Sequence, residues 1–245
     1  MYLKIEFSAV EAYYDQKQNW PKPIKLNIPE WYKKLQNSYK KMTIKGCMPF
    51  LDTLTTGYVL ELPQDLHLTH NLLTENKERI TVMVPANKDN YISDLININS
   101  RGKEETHPIE QLKGSSYVEK NKSLPFQKIL NPWFIKTPPG YSCLFVPPLN
   151  NTDDRFSIIP GIVDTDIFPR QVNFPFVVNG DKYPTLDTLL KRGTPYVQII
   201  PFKRENWEMD ITIKKEKEVK KSLIWYSLDI FNKYKNENWY KKKWK

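Results

Sequence analysis

Asp164 and Asp166 are the residues best placed to do chemistry in this chain. They close the run GIVDTD at the end of an apolar stretch, where a carboxylate can act as a general base or hold a metal ion. An aspartate at such a place also serves as a turn residue bonding nearby backbone, and spacing alone favours the turn. His67 and His70 form an H-x-x-H pair, with His107 the third histidine. Two histidines three apart on an extended segment do not face one ion. With no Cys pair or H-E-x-x-H helix to complete a set, no metal site is expected. Neither Cys47 nor Cys143 has a reactive-thiol context, and no local signature marks a serine nucleophile. The chain has no Walker loop and no dinucleotide-binding glycine fingerprint. Its 8 Gly against 19 Pro argue against any glycine-rich phosphate cradle.

A second group of residues points to anions. The C-terminal region mixes lysines with aromatic rings: Lys220 and Lys221, then Trp239, Tyr240, Lys241, Lys242, Lys243 and Trp244. Lysines can neutralise phosphates while rings stack on bases or take cations. From residue 203 onward there are thirteen basic and seven acidic residues, which accounts for six of the formal net charge of +9. A charge so concentrated suits an anionic partner. The alternative is that the aromatics dock a helix on the core while the lysines are solvated. The preference for Lys, Asn and Ile over Arg and Ala also fits an AT-rich genome.

The positioning elements read mainly as strands. Between Pro139 and Phe202 lie four short apolar runs cut by Pro, Gly, Asn or Asp: PGYSCLFVPPLN, FSIIPGIVDTD, VNFPFVV and LLKRGTPYVQIIPF. Asn179–Pro184 (NGDKYP) is expected to be a turn built on Asn-Gly. Upstream, Met1–Val10 reads as an opening strand, and Ile28–Leu35 as a short helix with Pro29 in its first turn and Trp31 and Leu35 on its buried face. Leu54–Leu62 reads as a strand with Gly57 at a bulge or close approach. Leu66–Leu68 and Ile80–Val84 read as two more strands. Asn87–Asn121 is polar and reads as an insertion, after which Pro125–Ile135 resumes the core. Trp207–Ile213 reads as a last strand. Lys214–Tyr234 places Val219, Leu223, Tyr226, Ile230 and Tyr234 on one helical face.

Divided on composition, the chain has an N-terminal extension (1–42), a β-sandwich domain (43–213) with its insertion near 87–121, and a basic aromatic helix and tail (214–245). The 40% hydrophobic and 13% aromatic content is that of a folded chain. No stretch is long and apolar enough to span a membrane. The opening MYLKIEFSAVEAYY lacks a basic region followed by an apolar core, so the expectation is that the protein stays in the cell that makes it. Two free thiols in a reducing compartment suit Cys47 and Cys143, with a disulfide as the alternative.

Two resemblances follow. IPEWYKKL, GCMPFLDTLTTGYVLELPQD, PGYSCLFVPPLN with GIVDTD, and GTPYVQIIPFKRE together resemble an uncharacterised family of cyanophages, other bacteriophages and some bacteria. That family implies no activity. In order and spacing, TTGYVLEL, PGYSCLFVPP, GIVDTD and GTPYVQIIP also resemble four motifs of the deoxyuridine triphosphatase (dUTPase) fold, over roughly Thr55–Phe202 with a long insertion. This resemblance implies a jelly-roll β-sandwich that trimerises. It places Gly57, Tyr58 and Gln198 at a vestigial nucleotide site and Asp164 at the water-activating position, with Mg²⁺ needed only if hydrolysis survives. The departures are severe. Val59 stands where the first motif has an aspartate, Pro148-Leu149-Asn150 replaces Arg-Ser-Gly, and Ile167 replaces the sugar-packing aromatic. The glycine-rich closing arm is absent. The expectation is therefore a non-enzymatic, phage-encoded structural or accessory protein without cofactor. It would be homo-oligomeric, in the host cytoplasm or virion, with virion proteins or nucleic acid as partners. The competing expectations are a divergent nucleotide hydrolase using Asp164 and a nucleic-acid-binding protein acting through the tail.

Overall fold

A computed structural model describes residues 3–73, 78–86, 106–227 and 232–245. Among these the chain is mainly β. Its strands are β1 (Glu6–Ser8), β2 (Lys22–Pro23), β3 (Tyr58–Glu61), β4 (Leu66–Leu73), β5 (Arg79–Pro85), β6 (Thr106–His107) and β7 (Phe126–Ile129). After them come β8 (Phe134–Lys136), β9 (Tyr141–Val146), β10 (Phe156–Ile158), β11 (Gly161–Val163), β12 (Phe174–Val178), β13 (Leu186–Leu190) and β14 (Pro195–Lys203). Two compact units result. One contains Met1–Lys22 and Gly57–Lys203, the other Pro23–Thr56 and Arg204–Lys245.

The first unit is built of antiparallel sheets. The largest runs β11-β9-β14-β3-β2, and the others run β10-β12-β7-β6, β13-β4-β5 and β1-β8. β14 is the central strand of this sheet, and Tyr196, Val197, Gln198 and Ile199 are all buried. One face of this sheet carries Leu60, Val197, Ile199, Cys143 and Phe145 into the core. There Phe174 lies 5.4 Å from the ring of Phe145 and 5.7 Å from that of Tyr196. Such tilted and edge contacts add about 0.5–1.5 kcal/mol each beyond the area they bury.

The second unit holds the helix Met48–Thr55, with Pro49 in its first turn, and the short helix Glu30–Lys34. Tyr32 stacks on Phe50 at 5.8 Å, and Trp31 meets Phe50 edge-on at 6.1 Å.

Several elements differ from the sequence reading. Leu54 ends a helix, and the strand expected from it begins only at Tyr58. In the Glu30–Lys34 helix the buried residue is Tyr32, while Trp31 is largely exposed, because one turn is too short for an i,i+4 face. β4 continues to Leu73 past a register shift at Asn71, whose φ of 54° marks the bulge. The Asn179–Tyr183 turn forms, but it joins β12 and β13, which lie in different sheets. Residues 87–105 of the expected insertion lie outside the described residues. Its remainder contains β6 and the helix Ser116–Lys120. Trp207–Ile213 forms no strand, and the basic helix runs from Glu216 to Ser227. Ile230 and the side chain of Tyr226 lie outside the description. Both cysteines are free thiols.

Candidate functional site

The GIVDTD run ends at the corner of the largest sheet. β11 pairs with β9 so that Val163 faces Cys143, which sets Asp164 beside Ser142. The Ser142 hydroxyl donates to Asp164 Oδ1 at 2.6 Å, and the amides of Ile167 and Phe168 donate to the Asp164 carbonyl. Asp166 Oδ2 accepts the Gly140 N–H at 2.8 Å. Between them the Thr165 hydroxyl bonds that of Thr137 at 2.8 Å and reaches Cys143 Sγ at 3.4 Å. Burial pushes the Cys143 thiol up to about 11, which disfavours the thiolate form. The two aspartates thus tie one turn to another.

Gly57, Tyr58 and Gln198 lie elsewhere on the same sheet. Tyr58 pairs with Ile199 and Val59 with Gln198. Gly57 has φ +81°, and a Cβ there would stand 2.1 Å from the Ile199 carbonyl oxygen, so only glycine fits the close approach. Tyr58 turns toward the core, where its ring meets Phe7 at 5.5 Å, and burial raises its pKa. Gln198 points to the opposite face and is fully buried, its Oε1 accepting the Leu149 N–H at 3.0 Å. Pro148-Leu149-Asn150, standing where phosphate-holding residues were compared, is therefore pinned by Gln198. β9 sets Ser142 opposite Phe202 and Val146 opposite Gln198. Asp164 consequently lies four residues, about 13 Å, along the strand direction and two strands across the sheet from Gln198. The structure sets Gly57, Tyr58 and Gln198 on neighbouring strands but turns the Tyr58 and Gln198 side chains to opposite faces, and it leaves Asp164 apart.

A cleft of about 210 Å³ opens beside this loop, lined by Pro147, Pro148, Asn151, Asp153, Asp154 and Tyr196 among others. Its carboxylates are already engaged. Arg155 grips Asp153 through Nε at 2.9 Å and Nη2 at 2.7 Å, and these hydrogen bonds hold the Asp153 carboxyl below its ordinary range. Lys182 and Tyr183 hold Asp154 in the same way. Lys120 also lines the cleft, so its charge is balanced rather than acidic.

The histidines do not converge. His67 pairs with Asp187 at 2.5 Å, while His70, on the other face of β4, is buried against Thr81 at 2.7 Å. His107 bonds Gln111. Among the described residues no three His, Cys, Asp or Glu side chains are grouped as metal ligands.

In the second unit the tail is anchored by a residue the sequence did not single out. Asp52 accepts the Trp239 indole N–H at 3.2 Å and pairs with Lys242 at 2.5 Å. Lys25 Nζ donates to the Trp244 carbonyl at 2.5 Å. Lys233 lies 4.1 Å above the Trp225 ring and donates to its carbonyl. Tyr240, Lys241 and Lys243 face solvent, as do Lys220, which pairs with Glu216 at 2.6 Å, and Lys221. No described helix is long and apolar enough to cross a membrane. A scan against protein-family models finds no match to this chain, and a search of curated proteins finds none either.

Proposed function

We propose that this protein is a non-enzymatic structural or accessory protein that assembles through its β-rich unit and offers its basic aromatic tail to a protein or anionic partner. One observation carries the reading. Asp164 is held by Ser142 at the end of β11, four residues along and two strands across the sheet from Gln198, itself committed to the Leu149 amide. A hydrolase needs its water-activating carboxylate and its phosphate donors around one reacting atom. These residues do not supply that convergence. The resemblance to a bacteriophage family adds the viral setting, and the dUTPase-like motif order adds a jelly-roll sandwich and a trimer.

The test is incubation of the full chain with the common deoxynucleoside triphosphates and Mg²⁺, beside an Asp164→Asn variant. The expected result is no turnover by either protein. Turnover that disappears in Asp164→Asn would overturn the reading and establish the nucleotide hydrolase instead.

A further inference from the structure

The net charge of this protein belongs to one of its two units. Residues 23–56 and 204–245 together hold eighteen Lys and Arg against nine Asp and Glu, whereas the rest of the chain holds nineteen of each. A compositional bias toward lysine acts on the whole chain, so it does not explain an excess confined to one unit. The first unit has no surplus of acid to offset the second. The excess calls for a polyanion from outside the chain.

Within the second unit a tetrapeptide recurs. Trp-Tyr-Lys-Lys stands at residues 31–34 and again at residues 239–242. Both copies dock on the helix Met48–Thr55, each by one of its rings. In the first copy Tyr32 is buried and stacks on Phe50, while Trp31 is 39% exposed. In the second the Trp239 indole is held by Asp52, while Tyr240 is 80% exposed. Lys33, Lys34, Lys241 and Lys242 are exposed beside these rings. Phe50 and Asp52 stand about 200° apart around their helix, so the two copies flank it. Each presents an exposed ring with ammonium groups next to it.

That combination suits a single-stranded polynucleotide, whose bases stack on rings while lysines neutralise its phosphates. A duplex keeps its base faces covered. Rings and lysines recurring as a set match a ligand in which bases and phosphates alternate, and a lipid headgroup layer has no such repeat. We propose that the two Trp-Tyr-Lys-Lys segments form a platform for single-stranded nucleic acid. Trp31 and Tyr240 stack on bases, and Lys34 and Lys241 meet phosphates. This deepens the reading above and rests on it, because it names the anionic partner and extends the contact from the tail to residues 31–34.

The test is fluorescence anisotropy of the full chain with labelled oligo-dT and oligo-U of about twelve nucleotides, within the span such platforms hold. Salt is varied throughout. Binding of either strand supports the proposal, and the tighter of the two names the sugar. Tyr240→Ala should weaken binding about fivefold or more. Lys34→Ala and Lys241→Ala should each lower the log–log salt slope by about 0.7, and together by about 1.4. Both lysines are exposed, so the melting curves of these variants should match the wild type. Lys136→Ala, at an exposed lysine of the first unit, should leave the slope unchanged. An equal loss in Lys136→Ala would mean unspecific attraction and overturn the platform. So would a Lys34→Ala variant that binds like the wild type, or binding to anionic phospholipid vesicles with none to either strand. If nothing binds, the platform falls while the non-enzymatic reading stands. Nucleotide turnover lost in Asp164→Asn would overturn only the latter.

Discussion

His70 shows how one side chain can set the pH response of the fold. It is fully buried on β4, and burial, with a smaller contribution from the Lys122 charge, lowers its pKa from 6.5 to about 4. Its Nδ1 shares a hydrogen bond with the Thr81 hydroxyl, while Nε2 is buried without a partner among the described residues. The folded state therefore prefers the neutral ring, and the unfolded chain binds a proton that the folded one refuses. Stability from this residue is complete above pH 6.5 and is lost as pH falls from 6.5 to 4, by roughly 3 kcal/mol in all. The carboxylates of Asp65, Asp153 and Asp154 have lowered pKa values, so their contributions are lost as pH falls from the ordinary carboxylate range through those lowered values. The His70 window lies above that one. His70→Asn, which can still bond Thr81, should be less stable at pH 7 but show a flatter stability curve between pH 6.5 and 4. Parallel curves for variant and wild type, by denaturant titration at stepped pH, would refute the assignment.

At the scale of elements, the C-terminal tail is held where Asp52 projects from the helix Met48–Thr55. A half-buried carboxylate that takes both an indole N–H and an ammonium contributes about 2 kcal/mol. Asp52→Ala should raise the open population of the tail more than about tenfold. Limited trypsin digestion would read this as faster release of peptides ending at Lys241–Lys243, with Asp52→Asn falling between. Unchanged release rates would mean that the tail is held by other contacts. This anchor was illegible in the sequence because its partners lie 187 and 190 positions away. The strands around Asp164 were legible because each is an apolar run closed by a turn residue. The helix Met48–Thr55 is masked in the sequence because FLDTLTT is rich in threonine, which favours strands, although Pro49 in its first turn is a helix signal. β4 was cut short because a bulge at Asn71 breaks its alternation. Trp207–Ile213 has a strand's pattern without a strand's pairing. Pattern reports which face wants burial, and only the fold reports whether the same chain provides it.

At the scale of the whole molecule, charge is segregated along the chain. Residues 204–213 are acidic on balance, whereas residues 214–245 carry eleven basic groups against four acidic ones. Part of that basic charge is tied down, with Lys242 on Asp52 and Lys220 on Glu216, while Tyr240, Lys241 and Lys243 face solvent. An exposed ring beside lysines can stack on a base while those lysines neutralise phosphates. Binding of single-stranded DNA should therefore weaken linearly on a log–log plot against salt. Each lysine that meets a phosphate adds about 0.7 to the slope. Lys241→Glu with Lys243→Glu should reduce that slope by about 1.4, while Trp207→Ser with Ile211→Ser leaves it unchanged. Asp52→Ala makes the sharper case. By releasing Lys242 it should steepen the slope by about 0.7, even as the tail becomes easier to cleave. A slope indifferent to both the lysine and the Asp52 changes would assign the basic excess to solubility and leave the tail's partner among proteins.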